Sequence, residues 1–162
     1  MHRQALDVRK RALGEDHPDV ATSLNNIALV LSDQGRLDEA LVMHRQALDI
    51  RKRALGEDHP GVYATDLNNM ARVLYKLGHG SEALEKAERA RGIRVRVYGA
   101  DHWLVADCIN TKALAMHSMG KVDEATPLRV SACASLGKLG AEHFAWKRAV
   151  KNWKELGVEV AM

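Results

Sequence analysis

The sequence predicts an all-α fold, a solenoid of stacked antiparallel helix pairs, and three observations predict it. First, a long segment repeats. Residues 1–18, MHRQALDVRKRALGEDHP, return as residues 43–60, MHRQALDIRKRALGEDHP, with Val8 against Ile50 as the single difference. Second, weaker copies run to the end of the chain. GEDH at 14–17 and 56–59 becomes GADH at 99–102 and GAEH at 140–143, and LNNIA at 24–28 becomes LNNMA at 67–71 and INTKA at 109–113. Third, apolar residues within a copy fall at i, i+3, i+4 and i+7, one face of a helix. Composition agrees: 46% apolar and 28% charged residues mark a folded chain, and 4% aromatics leave little material for a β-sandwich. One helix pair cannot bury its apolar stripe alone, so pairs must stack.

The elements follow in chain order. Residues 2–13 match the latter part of 37–55 and read as a lone second helix of a pair. The next helix spans about 18–34, where Leu24, Ile27, Ala28 and Leu31 share a face. Pro18 sits in its first turn, where a missing N–H is harmless, Asp16 offers a cap acceptor, and Gly35 ends it. Its partner spans about 37–55, with Ala40, Ala47 and Leu48 on the apolar side. The same grammar places helices near 60–77, 81–98, 103–119, 122–136 and 142–156. The 60–77 unit carries a one-residue insertion near its start, and Pro127 is expected in the first turn of its helix, where it is tolerated. Ala28 with Ala40, Ala71 with Ala83 and Ala113 with Ala125 are expected where paired helices cross. Alanine there allows the short end of the ~8–10 Å interaxial range. The organisation expected is a single array over 1–162: a half repeat at 1–14, repeats at 15–56, 57–99 and 100–140, and a capping helix at 141–157.

These segments carry a resemblance. LGEDHP, LNN-x-A and ALDIRKRALG are similar to the tetratricopeptide repeat, in particular to the longer form, roughly 42 residues, of kinesin light chains. The resemblance covers essentially the whole chain and departs at Thr111 and Lys112, which replace Asn26 and Ile27 of the first full unit. It implies a right-handed superhelix whose first helices line a concave surface, and a role as a protein–protein interaction scaffold. It also implies that the second asparagine of LNN contacts the main chain of an extended bound peptide. That role falls on Asn26 and Asn69, with Thr111 in the third position.

The expected groove residues are Asn26, Leu29, Asn69, Arg72, Lys76, Thr111 and Leu114. An amide both donates and accepts, so it can hold a peptide backbone without reading side chains. Asn25, Asn68 and Asn110, one position earlier, are expected to keep helices in register. Arg72 and Lys76 favour an acidic ligand, while Asp33 and Asp107 oppose one. A few bonds at about 0.5–1.5 kcal/mol each, plus one apolar pocket, give micromolar binding once association costs are subtracted.

Other chemistry is thinly represented. The chain has no P-loop, GxSxG or HExxH motif and no catalytic constellation, so neither an enzyme nor a cofactor is expected. His17, His59, His102 and His143 recur a full repeat apart, too far to converge on a metal, and read as structural. Cys108 and Cys133 form neither a disulfide framework nor a zinc pair and read as buried thiols. Arg9, Lys10 and Arg11, their copies Arg51, Lys52 and Arg53, and the run of Arg89, Arg91, Arg94 and Arg96 alternate with acidic residues and lack stacking aromatics. They read as a solvated outer face and not as a nucleic-acid site. The net charge is a mild +3, and the chain has no secretory h-region and no apolar run of ~18 residues, so a cytoplasmic protein away from membranes is expected. The alternative to a ligand-binding scaffold is a piece of a longer array. Such a piece would form a homo-oligomer through the apolar N-terminal edge of Ala5, Leu6, Ala12 and Leu13.

Overall fold

The computed structural model describes residues 2–55 and 60–160, without the side chains of His2, Arg3, Ala5, Leu55 and Pro60. Among these residues there are eight helices and no strand: α1 (His2–Leu13), α2 (Pro18–Asp33), α3 (Leu37–Leu55), α4 (Pro60–Lys76), α5 (Gly80–Tyr98), α6 (Trp103–Ser118), α7 (Val122–Gly137) and α8 (Phe144–Glu155). All lie within two residues of the bounds expected from the periodicity. The pairs are α2 with α3, α4 with α5 and α6 with α7, while α1 packs on α2, and α8 on α6 and α7. First helices touch one another from unit to unit, α2 to α4, α4 to α6 and α6 to α8. Second helices stand further apart, and α3 and α5 meet only through the long side chains of Arg45 and Glu82 at 3.7 Å among the described residues. The side on which neighbours stand closest is the inside of the curve, so α2, α4, α6 and α8 line the concave face. None of the described helices is long and apolar enough to cross a membrane.

Helix ends follow from local chemistry. His17, His102 and His143 each precede a first helix in extended conformation. Each imidazole Nδ1 accepts the backbone N–H two residues on, from Asp19, Leu104 and Ala145 respectively, all at 3.2 Å. The histidine is thus the cap. Asp16, expected in that role, instead accepts from Arg53 at 2.6 Å, and His59 lies outside the described residues. Gly35 takes φ 76°, which lets the Arg36 N–H reach back to the Leu31 carbonyl at 2.9 Å and close α2. Pro127 falls in the second turn of α7, not the first, so the Asp123 carbonyl loses its usual donor. That part of the helix is exposed, and Thr126 Oγ1 donates to the Val122 carbonyl at 2.8 Å beside it.

The crossing alanines Ala28, Ala40, Ala71, Ala83, Ala113 and Ala125 are all buried. Most of them share one continuous core with Leu31, Leu74, Leu114, Leu136 and Trp153. Between units the joint is polar. Arg9 donates to Ser23 Oγ at 2.6 Å, Arg51 to Asp66, and Arg94 to Cys108 Sγ at 3.2 Å and the Leu104 carbonyl at 2.8 Å, while within its own pair Arg51 also donates to Thr22 Oγ1 at 3.1 Å. Arg51 and Arg94 are 5% and 2% exposed. The expectation of a solvated outer face therefore fails for these two. They lie four residues after Ala47 and Ala90, on the same helical stripe, and turn inward with them. Burial raises the Asp66 carboxyl above its ordinary range, with Arg51 opposing the shift. Both cysteines are buried free thiols, and burial pushes Cys108 up to about 11.

His44 on α3 is 1% exposed, and neither ring nitrogen has a partner among the described residues. Burial, then the charges of Arg72 and Arg51, lower its pKa to about 4. The folded chain therefore holds His44 neutral, whereas the unfolded chain protonates it near pH 6.5. Its contribution to stability is complete above that value and is lost as pH falls towards 4. His44→Leu should raise the stability measured by urea titration at pH 5 by roughly 2 kcal/mol relative to the parent, and flatten the pH dependence between 6.5 and 4. In a parallel measurement His17→Ala should lower stability by about 1 kcal/mol, and His17→Asn should restore most of it.

Candidate functional site

The concave face is built from the residues just after each helix start. The LNN motif puts two adjacent amides on α2 and on α4, and helical geometry turns them about 100° apart. The first of each pair faces the neighbouring unit. Asn25 Oδ1 accepts from Asn69 Nδ2 at 3.1 Å, Asn68 Nδ2 donates to Asp107 Oδ2 at 2.8 Å, and Asn110 Oδ1 accepts from Trp153 Nε1 at 2.8 Å. These three asparagines hold first helices together, as the sequence suggested.

The second amide differs from unit to unit. Asn26 is exposed. Asn69 is buried, and its Oδ1 accepts from Arg72 on the next turn of α4. Arg72 continues to Asp107 Oδ2 at 3.4 Å, and Arg148 on α8 donates to Asp107 Oδ1 at 2.5 Å. Arg94 Nη1 stands 3.6 Å from the same carboxylate. The result is a continuous polar ladder from Asn25 through Asn69, Arg72 and Asp107 to Arg148, crossing α2, α4, α6 and α8. Three guanidinium groups share one carboxylate. Burial opposes the charged form of Asp107, but Arg148, Arg72 and Arg94 together outweigh it and hold its carboxyl below the ordinary range. Burial, reinforced by Arg148 and opposed by Asp107, lowers Arg72 to about 10.

The other groove candidates separate. Leu29 and Lys76 are exposed. Arg72 is partly exposed at the ladder's edge, and Arg148, which the sequence did not single out, is more so. Thr111 is fully buried and donates to the Asp107 carbonyl of its own helix at 3.1 Å. Leu114 is fully buried in the central core. Neither reaches the surface of the groove. α6 is buried along much of its length between α4, α5, α7 and α8, so its polar row is covered. Arg148 could have been found by aligning α8 with the earlier first helices, where it takes the position of Thr22, Thr65 and Asp107. Among the described residues no group of three histidine, cysteine or acidic side chains is arranged to hold a metal.

Asp107→Asn leaves Arg72, Arg94 and Arg148 without a carboxylate and should destabilise the fold by about 3 kcal/mol in urea titrations at pH 7. The parent should also lose stability as pH falls below about 4, because the folded pKa lies below the unfolded one. That acid limb should be absent from the variant.

The geometry agrees with comparisons to known proteins. The tetratricopeptide repeat model matches residues 1–19, 20–61 and 65–104, together more than half of the chain. No curated protein matches the sequence. Among solved structures, BtubC (BKLC) from P. vanneervenii superposes with a TM-score of 0.75 at 24% identity over 96% of this chain, which spans 64% of the length of BtubC. A kinesin-light-chain-like protein of Podosopora anserina with nearly identical TPR-like repeats gives a TM-score of 0.70 at 22% identity, over 96% of this chain and 76% of its own. A tpr-like protein from chlorobium tepidum gives 0.67 at 24% identity, over 85% of this chain and 94% of its own. Identities at this level speak for the shared solenoid architecture alone. Repeat period, paired helices and family match agree: the chain belongs to the tetratricopeptide repeat family.

Proposed function

We propose that the concave face binds an extended segment of a partner protein bearing an acidic group, with Arg72 and Arg148 meeting the acid and Asn26, Leu29 and Lys76 lining the approach. Tetratricopeptide repeats generally mediate protein–protein interaction. The observation that carries the reading is the ratio in the ladder, three arginines to one carboxylate, with Arg72 and Arg148 partly exposed. A carboxylate docking there supplies the missing counter-charge and accepts charge-assisted hydrogen bonds. Thr111 and Leu114 support the face from beneath and take no direct part. Asn69 takes part by exchange, since its Oδ1 is already occupied by Arg72.

A second reading is self-association through the α1 edge. It has one observation in its favour: Val8 on α1 is exposed although its counterpart Ile50 on α3 is buried.

A peptide array of extended sequences with and without acidic residues tests the main reading. Acidic members should bind the parent at micromolar level. The double variant Asn26→Ala with Lys76→Glu changes only exposed positions and should weaken them about tenfold with unchanged helicity. Equal binding of neutral and acidic members would remove the acidic requirement, and undiminished binding by the variant would remove the groove.

A further inference from the structure

We propose that the acid received between Arg72 and Arg148 is a phosphate monoester on a side chain of the partner segment, and not a carboxylate. The proposal rests on the main function proposed above and names the chemistry of its ligand.

Charge is the first reason. Arg72, Arg94 and Arg148 stand around the single carboxylate of Asp107, so the cluster carries a surplus of two positive charges. Other acids on these helices have cations of their own. Glu155 pairs with Lys151 at 3.8 Å, and Glu88 with Arg91 and Lys112. Lys76, one turn beyond Arg72 on α4, adds an exposed cation. The surplus is unfavourable where it stands: burial, then Arg148 and Arg94, bring Arg72 down to about 10 against the pull of Asp107. A carboxylate cancels one charge of the surplus. A phosphate monoester carries about −1.5 to −2 at pH 7 and cancels nearly all of it.

Shape is the second. Arg72 Nη1 and Arg148 Nη2 reach the two oxygens of one carboxylate, at 3.4 and 2.5 Å, from different helices. The two forks therefore converge on one point. Each guanidinium has five N–H donors. Arg72 spends its bonds on Asn69 and Asp107, and Arg148 on Asp107, so both keep donors for a ligand. Three tetrahedral phosphate oxygens can accept from both forks at once. Two neighbouring carboxylates would match the charge but place it at two points.

Arg148 is set in place beforehand. Its guanidinium lies over the Phe144 ring, 5.5 Å from the centroid, and Phe144 stacks in turn on His143 at 4.7 Å. Phe144 is 57% exposed, so its ring is spent on holding that flat face and not on the core. The N–H edge of Arg148 is left for Asp107 and the ligand, an arrangement that lysine cannot copy. Arg72 has units packed on both sides of its helix and still keeps an exposed edge, so the site belongs to the concave face and not to an end of the array.

Fluorescence anisotropy with the full chain at pH 7 tests this. The probes are labelled peptide pools, degenerate except for a fixed central phosphoserine, aspartate, pair of aspartates or serine. The phosphoserine pool should bind about tenfold tighter than either aspartate pool. Arg148→Lys, which keeps the charge, should bring the phosphoserine pool down to the level of the aspartate pool with unchanged helicity. Phe144→Ala should weaken the phosphoserine pool severalfold, and Phe144→Tyr should restore it. If an aspartate pool binds as tightly as phosphoserine, the phosphate falls and the acidic groove stands. If the serine pool matches all the others, both fall. Phosphoserine binding that Arg148→Lys leaves unchanged would overturn the proposal. So would inorganic phosphate or an oligouridylate binding as tightly as the phosphoserine pool, since the ligand would then be a free anion or a nucleic acid.

Discussion

Two alanines per unit set the distance at which paired helices cross, and the rest of the structure depends on that spacing. Ala28 and Ala40, Ala71 and Ala83, and Ala113 and Ala125 are all buried at these crossings. Alanine at such a position permits two backbones to approach to the short end of the usual interhelical range. Close pairs leave room for the next pair to stack, and stacking brings first helices within reach of one another. Without that reach Asn25 does not meet Asn69, nor Asn68 Asp107. A methyl group in the right place is thus a precondition of a polar contact two helices away.

Stacking near-identical units raises a problem of register. Residues 1–18 and 43–60 are almost the same sequence, so apolar burial alone scarcely distinguishes one neighbour from another. The inter-unit joints differ in their polar partners instead. Arg9 meets Ser23, Arg51 meets Asp66 and Arg94 meets Cys108, while the same position on α7 holds Leu136, buried in the core. Buried ion pairs return little net stability, because desolvation offsets the attraction. A wrong neighbour, however, leaves Asp66 or Arg51 buried without its counter-charge, which is far more costly than the loss of one apolar contact.

The concave face is internally paired before any ligand arrives. Arg72 bridges Asn69 and Asp107, and Arg148 closes the far end. A ligand there exchanges hydrogen bonds instead of creating them, and the net gain per bond is small. Under the proposed function, modest affinity follows, with selectivity drawn from charge. The ladder also ties the face to the stability of the array, since its central carboxylate is buried among three arginines.

Helix number, bounds and pairing were legible in the sequence, because a repeated period and a 3.6-residue apolar stripe fix which face each helix must hide. The register role of Asn25, Asn68 and Asn110 was legible for the same reason. Tertiary packing decided what each polar residue meets. Arg51 and Arg94 belong to basic runs in the sequence, yet one position of each run turns inward with the alanine four residues before it. Asn26, Asn69 and Thr111 hold one slot in three units and range from exposed to fully buried, because the end of an array has fewer neighbours than its middle. A period in the chain specifies a repeated local environment, while the number of units stacked on either side changes along the array, and only the three-dimensional structure contains that count.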